Sequence, residues 1–237
     1  MLRNKLALGL ALLLPVSALA YSPEQNPEQD NPEQGARKCD RNRPIDPRGA
    51  VERGADGDTF TVKTRDGSYK VRMIGIDTPE THYMGETQGE WGDKASDRLG
   101  ELLPRGTQVR LELSPSVCDS YGRVLAHVFV GKSHVNRTMV EEGLAVNYCL
   151  FPSVAHCEEL GALTTAAIEA QIGMFSDPNV ELPYDFRRRI SNRQPTSFVG
   201  STLTKEVFRP GNQDRVPVGE RIFFQNENVP PPYRVVD

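Results

Sequence analysis

The middle of the chain alternates between short strand-like runs and glycine turns, and this alternation restricts the fold more than any other feature. β-Branched and aromatic residues recur within the runs, and Asp-Gly pairs at positions 56–57 and 66–67 separate the first three runs. Asp-Gly between such runs is typical of a tight hairpin turn. The pattern predicts five strands, at Ala50–Arg53, Thr59–Thr64, Tyr69–Ile76, Thr107–Leu113 and Val124–Val130.

Apolar residues at helical spacing predict helices around these strands. The segment Gly89–Leu103 carries an apolar stripe that includes Ala95 and Leu99. Further helices are predicted at Asn136–Glu142 and Cys157–Ile172. Five short strands with a helix between the third and the fourth match the partly open OB barrel. We therefore predict an α+β fold, a five-stranded OB-like β-barrel with about three packed helices.

The chain begins with the pattern of an export signal. Residues 1–20 have a positively charged start at Arg3 and Lys5, an apolar run at 6–14, and a cleavage site of the form Ala-Leu-Ala at 18–20. An apolar run of this length is too short to span a bilayer as a finished helix. We therefore expect cleavage after Ala20, a periplasmic or secreted protein and no stable membrane anchor, a retained anchor being the alternative.

Composition divides the rest of the chain into three regions. Residues 21–47 form a low-complexity leader and linker. Within it, residues 21–34 contain Pro-Glu-Gln three times and lack the apolar side chains that would offset the entropy of ordering, so we expect a disordered leader. Residues 48–190 hold the predicted barrel and helices, and residues 191–237 form an extension rich in Pro, Gly and Asn that we expect to be irregular. Its apolar pieces are interpreted as short strands or docking anchors, at Val207–Phe208, Ile222–Phe224 and Tyr233–Val236.

All four cysteines follow the predicted cleavage site. An even number of cysteines in an exported protein favours disulfides, and four cysteines allow three connectivities. Cys149 and Cys157 flank a short loop that a disulfide could close, which would leave Cys39 to pair with Cys118. Zinc binding by the cysteines is the alternative, but no Cys-x-x-Cys or paired histidine spacing supports it.

The net charge argues against a protein that coats nucleic acids. The formal charge is −4 at pH 7, whereas non-specific binding to a polyanion relies on clustered Lys and Arg. Attraction of a polyanionic substrate would therefore have to be local. One basic run, Arg187-Arg188-Arg189, could contact phosphate, although such a run more often forms a solvated face.

Acidic residues lie at predicted strand ends, close to an arginine within a strand. Asp58 follows the first Asp-Gly turn, and Asp77 ends the third strand before Pro79 forces a turn. Two carboxylates from neighbouring strand ends, with a backbone carbonyl, make a calcium-like oxygen shell. Arg72 lies among apolar residues, where a guanidinium needs an anion. That anion is a substrate phosphate or, alternatively, a buried carboxylate of the protein.

Further candidate residues lie in two loops. Glu80 follows the third strand closely enough to orient a water molecule without being a metal ligand. In the loop between the fourth and fifth strands, Gly122 permits a tight backbone, and Arg123 could reach over the barrel mouth. A salt bridge between Arg123 and Asp119 is the alternative. Asp56 and Asp119 are interpreted as supporting or rim residues.

Asn136 and the histidines receive structural interpretations. Asn136 is expected to cap the helix that begins there. The four histidines show no ligand spacing, and we interpret them as structural or surface residues: His82, His127, His134 and His156.

Several of these segments occur together in an order that is typical of one family. They are Asp56-Gly57-Asp58-Thr59, the run Arg72–Thr81, the loop Asp119–Arg123, Asn136 and Gly143-Leu144-Ala145. In this order and spacing, the stretch from Val51 to Phe175 resembles the staphylococcal nuclease-like thermonucleases. Ser120 departs from the family pattern, because the family has lysine there.

The resemblance implies a Ca²⁺ site beside a phosphate site. Its implied metal ligands are Asp58, Asp77 and the carbonyl of Thr78. Glu80 would position or deprotonate the attacking water, and Arg72 and Arg123 would hold the scissile phosphate. Tyr121 and Tyr148 would line the nucleotide site.

The function implied by the resemblance is that of an exported, Ca²⁺-dependent nuclease. Such an enzyme would hydrolyse phosphodiester bonds of DNA and RNA and leave 3′-phosphates. Recognition through the backbone and base stacking implies low sequence specificity and a preference for single strands. The alternative is a non-catalytic OB-fold module that binds nucleic acid or serves as a cell-envelope scaffold. Such a module would be expected to lack Glu80 or one of the arginines, and this chain keeps them all.

Overall fold

The structure is a computed structural model and describes residues 36–236. Within this range, the chain forms four α-helices and two six-stranded sheets. The predicted signal peptide at 1–20 and the Pro-Glu-Gln repeats of the leader lie outside the described residues.

Five strands close into a barrel, as the sequence predicts. Their bounds are β1 Arg48–Asp56, β2 Thr59–Thr64, β3 Gly67–Met73, β5 Gln108–Cys118 and β6 Val124–Val130. Antiparallel pairing runs from β3 through β2, β1 and β5 to β6, and parallel pairing of β3 with β6 closes the circle. The predicted α+β fold with an OB-like barrel is therefore confirmed.

The third predicted strand is interrupted, and the interruption redirects the chain. The sequence predicts one strand over Tyr69–Ile76, but the structure divides it between β3 and a separate strand, β4, at Gly75–Asp77. Gly75 has a φ of +76°, a left-handed conformation that favours glycine, and a Cβ there would lie 2.8 Å from Leu160. The chain leaves the barrel at this glycine, and β4 pairs antiparallel with β8 (Val146–Leu150) of the second sheet.

The C-terminal extension forms most of the second sheet. Its strands are β9 Phe198–Ser201, β10 Glu206–Phe208, β11 Arg221–Phe224 and β12 Arg234–Val235. The strand order is β12-β10-β9-β11-β8-β4, so the apolar pieces of the extension are strands of this sheet. The extension is more regular than the sequence predicts, because its short strands pair with one another and, through β11, with β8.

Four α-helices pack around the sheets. They are α1 Glu90–Leu102, α2 Val135–Glu141, α3 Cys157–Glu169 and α4 Pro183–Ile190. The first three correspond to the predicted helices, whereas α4 was not predicted. A two-residue strand before α2, β7 (Ser133–His134), extends the barrel sheet beyond β6. No helix in the described part of the chain is both long and apolar enough to cross a membrane.

The barrel interior and the second sheet have separate apolar cores. Fully buried residues of the barrel core include Phe60, Val62, Val71, Met73 and Met139. A second core, between the second sheet and α4, includes Val199, Phe208, Phe223 and Tyr184. Burial of these apolar side chains holds α4 against the second sheet, whose strand β4 ends in Asp77.

Residues 36–47, predicted as part of the leader, lie against the barrel. The backbone N–H of Arg37 donates to the carbonyl of Ser68 at 2.7 Å. Ile45 is buried and belongs to the barrel core. The part of the predicted leader that the structure describes is therefore packed.

Two disulfides reinforce the fold. Cys39 pairs with Cys118, which fastens the N-terminal segment to the end of β5. Cys149 pairs with Cys157 and joins β8 to the start of α3. This is the connectivity that local closure of the loop between Cys149 and Cys157 favours, and it leaves no free cysteine among the described residues.

Asn136 connects the barrel to the break before β4. The predicted N-cap role is wrong, because the cap position is His134 and Asn136 is the second residue of α2, where it is fully buried. Its Oδ1 accepts a hydrogen bond from the backbone N–H of Val128 at 2.9 Å, and its Nδ2 donates to the carbonyl of Ile74 at 2.8 Å. The side chain thus satisfies backbone groups that are left unpaired where the strand is interrupted.

Candidate active site

Arg72 joins two buried carboxylates where the barrel meets the second sheet. Its guanidinium donates from Nη1 to Asp58 Oδ2 at 2.7 Å and from Nη2 to Asp77 Oδ1 at 2.8 Å. The same side chain donates to the carbonyls of Met73 and Ile76. A guanidinium that is only 13% exposed requires anionic partners. The structure thus brings together three of the predicted site residues.

A close approach between two loops positions Asp58. A Cβ on Gly57 would lie 2.8 Å from both Thr78 Oγ1 and Ala95 Cβ, so glycine is required for this contact. Asp58 Oδ2 accepts a hydrogen bond from the backbone N–H of Thr78 at 3.3 Å, and Oδ1 accepts one from Thr59 Oγ1 at 3.0 Å. The β1–β2 turn and the loop after β4 are therefore held together at this carboxylate.

A second guanidinium reaches these carboxylates from the C-terminal part of the chain. Arg187 of α4 donates from Nη2 to Asp77 Oδ2 at 2.7 Å and from Nη1 to Asp77 Oδ1 at 2.9 Å, and it also pairs with Glu80. Asp77 has no exposed surface, so Arg72 and Arg187 together balance its charge. Burial alone would lower the pKa of Arg187, but Asp77 and Glu80 raise it above the usual value.

Glu80 lies in the loop after β4 and differs electrostatically from the aspartates. Burial raises its pKa to about 7, against the opposing effect of Arg187 and with a further increase from Asp77 and Asp56. Its backbone N–H donates to Gln88 Oε1 at 3.1 Å, which helps to fix the loop. A carboxyl group with a pKa near 7 can release and accept a proton at neutral pH, as a general base requires.

Asp56 supports the loop that carries Glu80. Its Oδ1 accepts hydrogen bonds from the backbone N–H of Gly57 at 2.8 Å and from Thr81 Oγ1 at 3.2 Å. Burial and, secondarily, the charge of Asp58 raise its pKa. Its contacts tie the β1–β2 turn to the Glu80 loop, which is the geometry of a supporting residue.

Interpretation of the sequence did not place Arg187 in the site. The solvated-face interpretation of the basic run holds for Arg189, whose side chain is 59% exposed and pairs with Glu181. The signal for Arg187 was its position three residues after Tyr184, because residues at this spacing share one face of a helix. Tyr184 is buried, so the same face turns Arg187 inward.

The loop between β5 and β6 has its own salt bridge. Arg123 Nε donates to Asp119 Oδ2 at 2.6 Å, and the guanidinium lies 5.3 Å from the ring centre of Tyr121. In the part of the chain that the structure describes, Arg123 pairs with Asp119 and not with Asp58 or Asp77. Arg123 directly precedes β6, and β6 pairs with β3, the strand that carries Arg72. Arg123 therefore lies next to the strand of Arg72. Tyr121 is 78% exposed and available for stacking.

Tyr148 lies beside the carboxylates on the second sheet. On β8 it pairs in register with Gly75 of β4. Its ring centre lies 5.3 Å from that of Tyr184 and 5.0 Å from that of Phe223. The guanidinium of Arg187 lies 6.0 Å from the Tyr148 ring. The predicted nucleotide-site tyrosine is thus brought to the same place as the acids.

The donor atoms around Arg72 fit a hard metal ion. One guanidinium contacts both Asp58 and Asp77, so the two carboxylates lie close together. With the carbonyl of Thr78, which follows directly, the set contains oxygen alone. Such a set suits Ca²⁺ or Mg²⁺ and not the metals that prefer nitrogen or sulfur.

Comparison with known proteins finds nucleases among the relatives of this chain. The family model for staphylococcal nuclease homologues matches residues 70–177. The chain is 31% identical over 156 residues to a micrococcal nuclease of Shigella flexneri, which covers 61% of this chain and 83% of that protein. It is 33% identical over 187 residues to endonuclease YhcR of Bacillus subtilis (strain 168), or 74% of this chain. It is 41% identical over 95 residues to a thermonuclease of Staphylococcus hyicus, or 40% of this chain.

The extent of these matches decides what they show. The chain spans 15% of the length of the Bacillus endonuclease and 56% of the staphylococcal thermonuclease. The chain spans most of the Shigella nuclease at over 30% identity. The family model covers the segment from Arg72 to Glu80, which includes Asp77. The chain therefore belongs to the family of staphylococcal nuclease homologues, as its sequence motifs predict.

Proposed function

We propose that this protein is a Ca²⁺-dependent nuclease that hydrolyses phosphodiester bonds of DNA and RNA with low sequence specificity. The observation that carries the proposal is the contact of one guanidinium, that of Arg72, with two buried carboxylates next to Glu80. Carboxylates for a cation, arginines for a phosphate and a base for water are the groups that in-line phosphodiester hydrolysis needs. Relatives named as nucleases support the same class of reaction.

The metal ion would be held by oxygen donors where the barrel meets β4. Nucleases of this family are metal-dependent. Asp58, Asp77 and the Thr78 carbonyl are the residues that would hold the ion, and their all-oxygen composition suits Ca²⁺, the ion that the family resemblance implies. When bound, such an ion supplies positive charge next to the phosphate oxygens.

Glu80 would act on the attacking water. Its carboxylate accepts a proton as the water oxygen attacks phosphorus in line with the leaving 5′ oxygen. A pKa of about 7 keeps a useful fraction of the carboxylate ionised at neutral pH. Arg187, which pairs with the Glu80 carboxylate, would serve as a positioning residue.

Two arginines would hold the scissile phosphate. Arg72 is oriented by Asp58 and Asp77, and Arg123 is oriented by Asp119. A guanidinium can donate to two phosphate oxygens at once, and it stays charged throughout the reaction. Each such preorganised donor is typically worth about 3 kcal/mol of barrier.

Nucleotide recognition would rely on stacking and the sugar–phosphate backbone. Tyr121 is 78% exposed, and Tyr148 lies beside Arg187. Stacking on aromatic rings tolerates any base and requires unpaired bases, so we infer low specificity and a preference for single strands. A formal charge of −4 leaves attraction of the substrate to these local groups.

We also propose that the protein acts after export, in the periplasm or outside the cell. The pattern of residues 1–20 supports export, with cleavage after Ala20. The two disulfides support the same proposal, because disulfides persist in oxidising compartments.

A hydrolysis assay tests the proposed function. The protein without residues 1–20 is incubated with labelled single-stranded DNA and RNA in Ca²⁺, with a calcium chelator, and after Ca²⁺ is restored. We expect cleavage of both substrates in Ca²⁺, loss of cleavage in the chelator and recovery on restoration. Hydrolysis that persists after complete removal of Ca²⁺ would contradict the metal assignment. Binding of DNA without cleavage in Ca²⁺ would favour the non-catalytic binding module.

A further inference from the structure

Three histidines that are distant in sequence meet beside the barrel. His127 lies on β6, His134 ends β7, and His156 precedes α3. The ring centre of His127 lies 5.1 Å from that of His134 and 4.7 Å from that of His156, and the latter two are 4.8 Å apart. We call these residues the histidine cluster. None of them contributes to the candidate active site.

Two of the three rings are oriented through one ring nitrogen. Nε2 of His134 and Nδ1 of His127 share a hydrogen bond at 3.2 Å. Nε2 of His156 lies 2.9 Å from Glu112 Oε1, while its Nδ1 lies 3.8 Å from Glu159 Oε2. In both His134 and His156, one ring nitrogen therefore fixes the ring, and in His156 the other nitrogen faces Glu159.

Core packing accounts for His127 but not for the whole cluster. His127 is 1% exposed, and burial, followed by the neighbouring imidazoles, lowers its pKa to about 3. By contrast, the side chains of His156 and Glu159 are 28% and 49% exposed, so a solvent ion can reach them. A half-buried ligand and an exposed ligand beside a fixed ring form a site that is open to the solvent.

We propose that His134, His156 and Glu159 bind a divalent transition-metal ion, zinc being the best match. One ligand atom from each residue lies within 4.8 Å of those of the other two. Zinc bonds to imidazole nitrogen and carboxylate oxygen measure roughly 2.0–2.2 Å, so small side-chain rotations bring all three atoms onto one ion. Two imidazoles with one carboxylate suit zinc and its neighbours, whereas Ca²⁺ takes oxygen ligands.

The partners of the two imidazoles are those that metal-binding histidines use. A ligating histidine usually donates its other ring N–H to a carboxylate or a similar acceptor, which fixes the tautomer and the ring. Glu112 is in position to accept such a hydrogen bond from Nε2 of His156, and Nδ1 of His127 is in position to accept one from Nε2 of His134. The ring of Phe129 stacks on His134 with centres 4.5 Å apart and holds it in place.

Glu159 keeps one oxygen available for the ion. Its Oε1 accepts from Arg137 Nε at 2.9 Å, whereas Oε2 is the oxygen nearest to His156 Nδ1. Binding of a metal to Oε2 is therefore compatible with the existing salt bridge.

A metal ion at this site would be a structural cross-link. It would connect His134, at the start of α2, to the first turn of α3, next to the disulfide of Cys157. Helix α2 also carries Asn136, which donates to the carbonyl of Ile74 before β4. The ion would thus stabilise the packing of α2 and α3 without taking part in hydrolysis.

Titration with Zn²⁺ and Co²⁺ tests this proposal independently of nuclease activity. The protein without residues 1–20 is titrated in excess Ca²⁺, which occupies the oxygen site, by calorimetry and by the visible absorption of Co²⁺. Glu159→Gln and His156→Gln remove ligands. Glu158→Gln, the exposed neighbour on the same helix, and His82→Gln, an exposed histidine outside the cluster, are the matched controls.

We expect the parent protein and both controls to bind one Zn²⁺ per chain. The two ligand variants should bind at least about tenfold more weakly, and Zn²⁺ should raise the unfolding temperature only where it binds. Because Glu159 is exposed, Glu159→Gln should fold normally and remain informative even if His156→Gln does not. Absence of Zn²⁺ binding by the parent protein would overturn the proposal, as would unchanged affinity in Glu159→Gln.

Discussion

The barrel and the C-terminal region contribute to the candidate active site in different ways. The barrel supplies Asp58 and Arg72, and β4, which follows its third strand directly, supplies Asp77. The local sequence pattern predicts the strands and turns that carry these residues. The C-terminal region supplies Arg187 on a helix that packs against the second sheet through the buried Tyr184. The acids therefore come from the barrel and the segment that directly follows its third strand, whereas one of the two cations that balance them comes from the C-terminal region.

This difference shows that the C-terminal region completes the charge balance of the site. Carboxylates removed from water need a cation or a proton. Asp77 has no exposed surface and pairs with both Arg72 and Arg187, and Glu80 has its pKa raised to about 7. The region after the barrel is thus part of the site and not an appendage to it.

Replacement of Glu80 by Gln tests the acids that the barrel and the loop after β4 contribute, and it should have the largest effect. A glutamine cannot accept the proton of the attacking water, so kcat should fall by roughly 10²–10⁴ with little change in KM. Initial rates of single-stranded DNA hydrolysis in Ca²⁺ provide the measurement. Glu86→Gln, an exposed acid of the same loop, is the control and should cleave at the parental rate. Parental activity in Glu80→Gln would rule out the proposed base.

Replacement of Arg187 by Met tests the C-terminal side and should mainly affect stability. It leaves the buried Asp77 and Glu80 without one cation, so the free energy of unfolding without Ca²⁺ should fall by about 3 kcal/mol. Part of this loss should be recovered in Ca²⁺, because the ion supplies the missing positive charge. Denaturant unfolding with and without Ca²⁺ measures both effects.

Arg189→Met is the matched control for this change. Arg189 lies on the same helix, but its pair with Glu181 is at the surface, so its removal should leave stability almost unchanged. If the two variants lose the same stability, Arg187 does not balance the buried acids. If Ca²⁺ fails to stabilise Arg187→Met more than the parent, the carboxylates that Arg187 contacts are not part of the calcium site.

Local pattern was enough to predict the barrel. The bounds of β2 and β6 match the predicted strands Thr59–Thr64 and Val124–Val130, because each is a short run of β-formers between turns. The same strand-end argument brought Asp58 and Asp77 together. The strand pattern did not predict the break at Gly75, where a positive φ splits the third strand. A glycine within a strand can also mark a bulge or a close backbone approach, so it does not by itself indicate that the strand ends.

Contacts between distant segments account for what the sequence did not predict. Strand β11 pairs in parallel with β8, and Arg187 reaches Asp77 across 110 residues of chain. The histidine cluster likewise assembles from three elements, so no ligand spacing marks it in the sequence. Such arrangements depend on packing between elements, and a pattern read along a single strand or helix carries no information about them.

Direct measurement of Ca²⁺ binding tests the central claim, that the carboxylates of Asp58 and Asp77 form a calcium site. Calorimetric titration of the parent protein should show one Ca²⁺ per chain. Asp58→Asn, which removes one ligand charge, should weaken binding by at least about tenfold. Glu90→Gln, an exposed acid on α1, should bind Ca²⁺ as the parent does. No Ca²⁺ binding by the parent, or equal affinity in Asp58→Asn, would contradict the account.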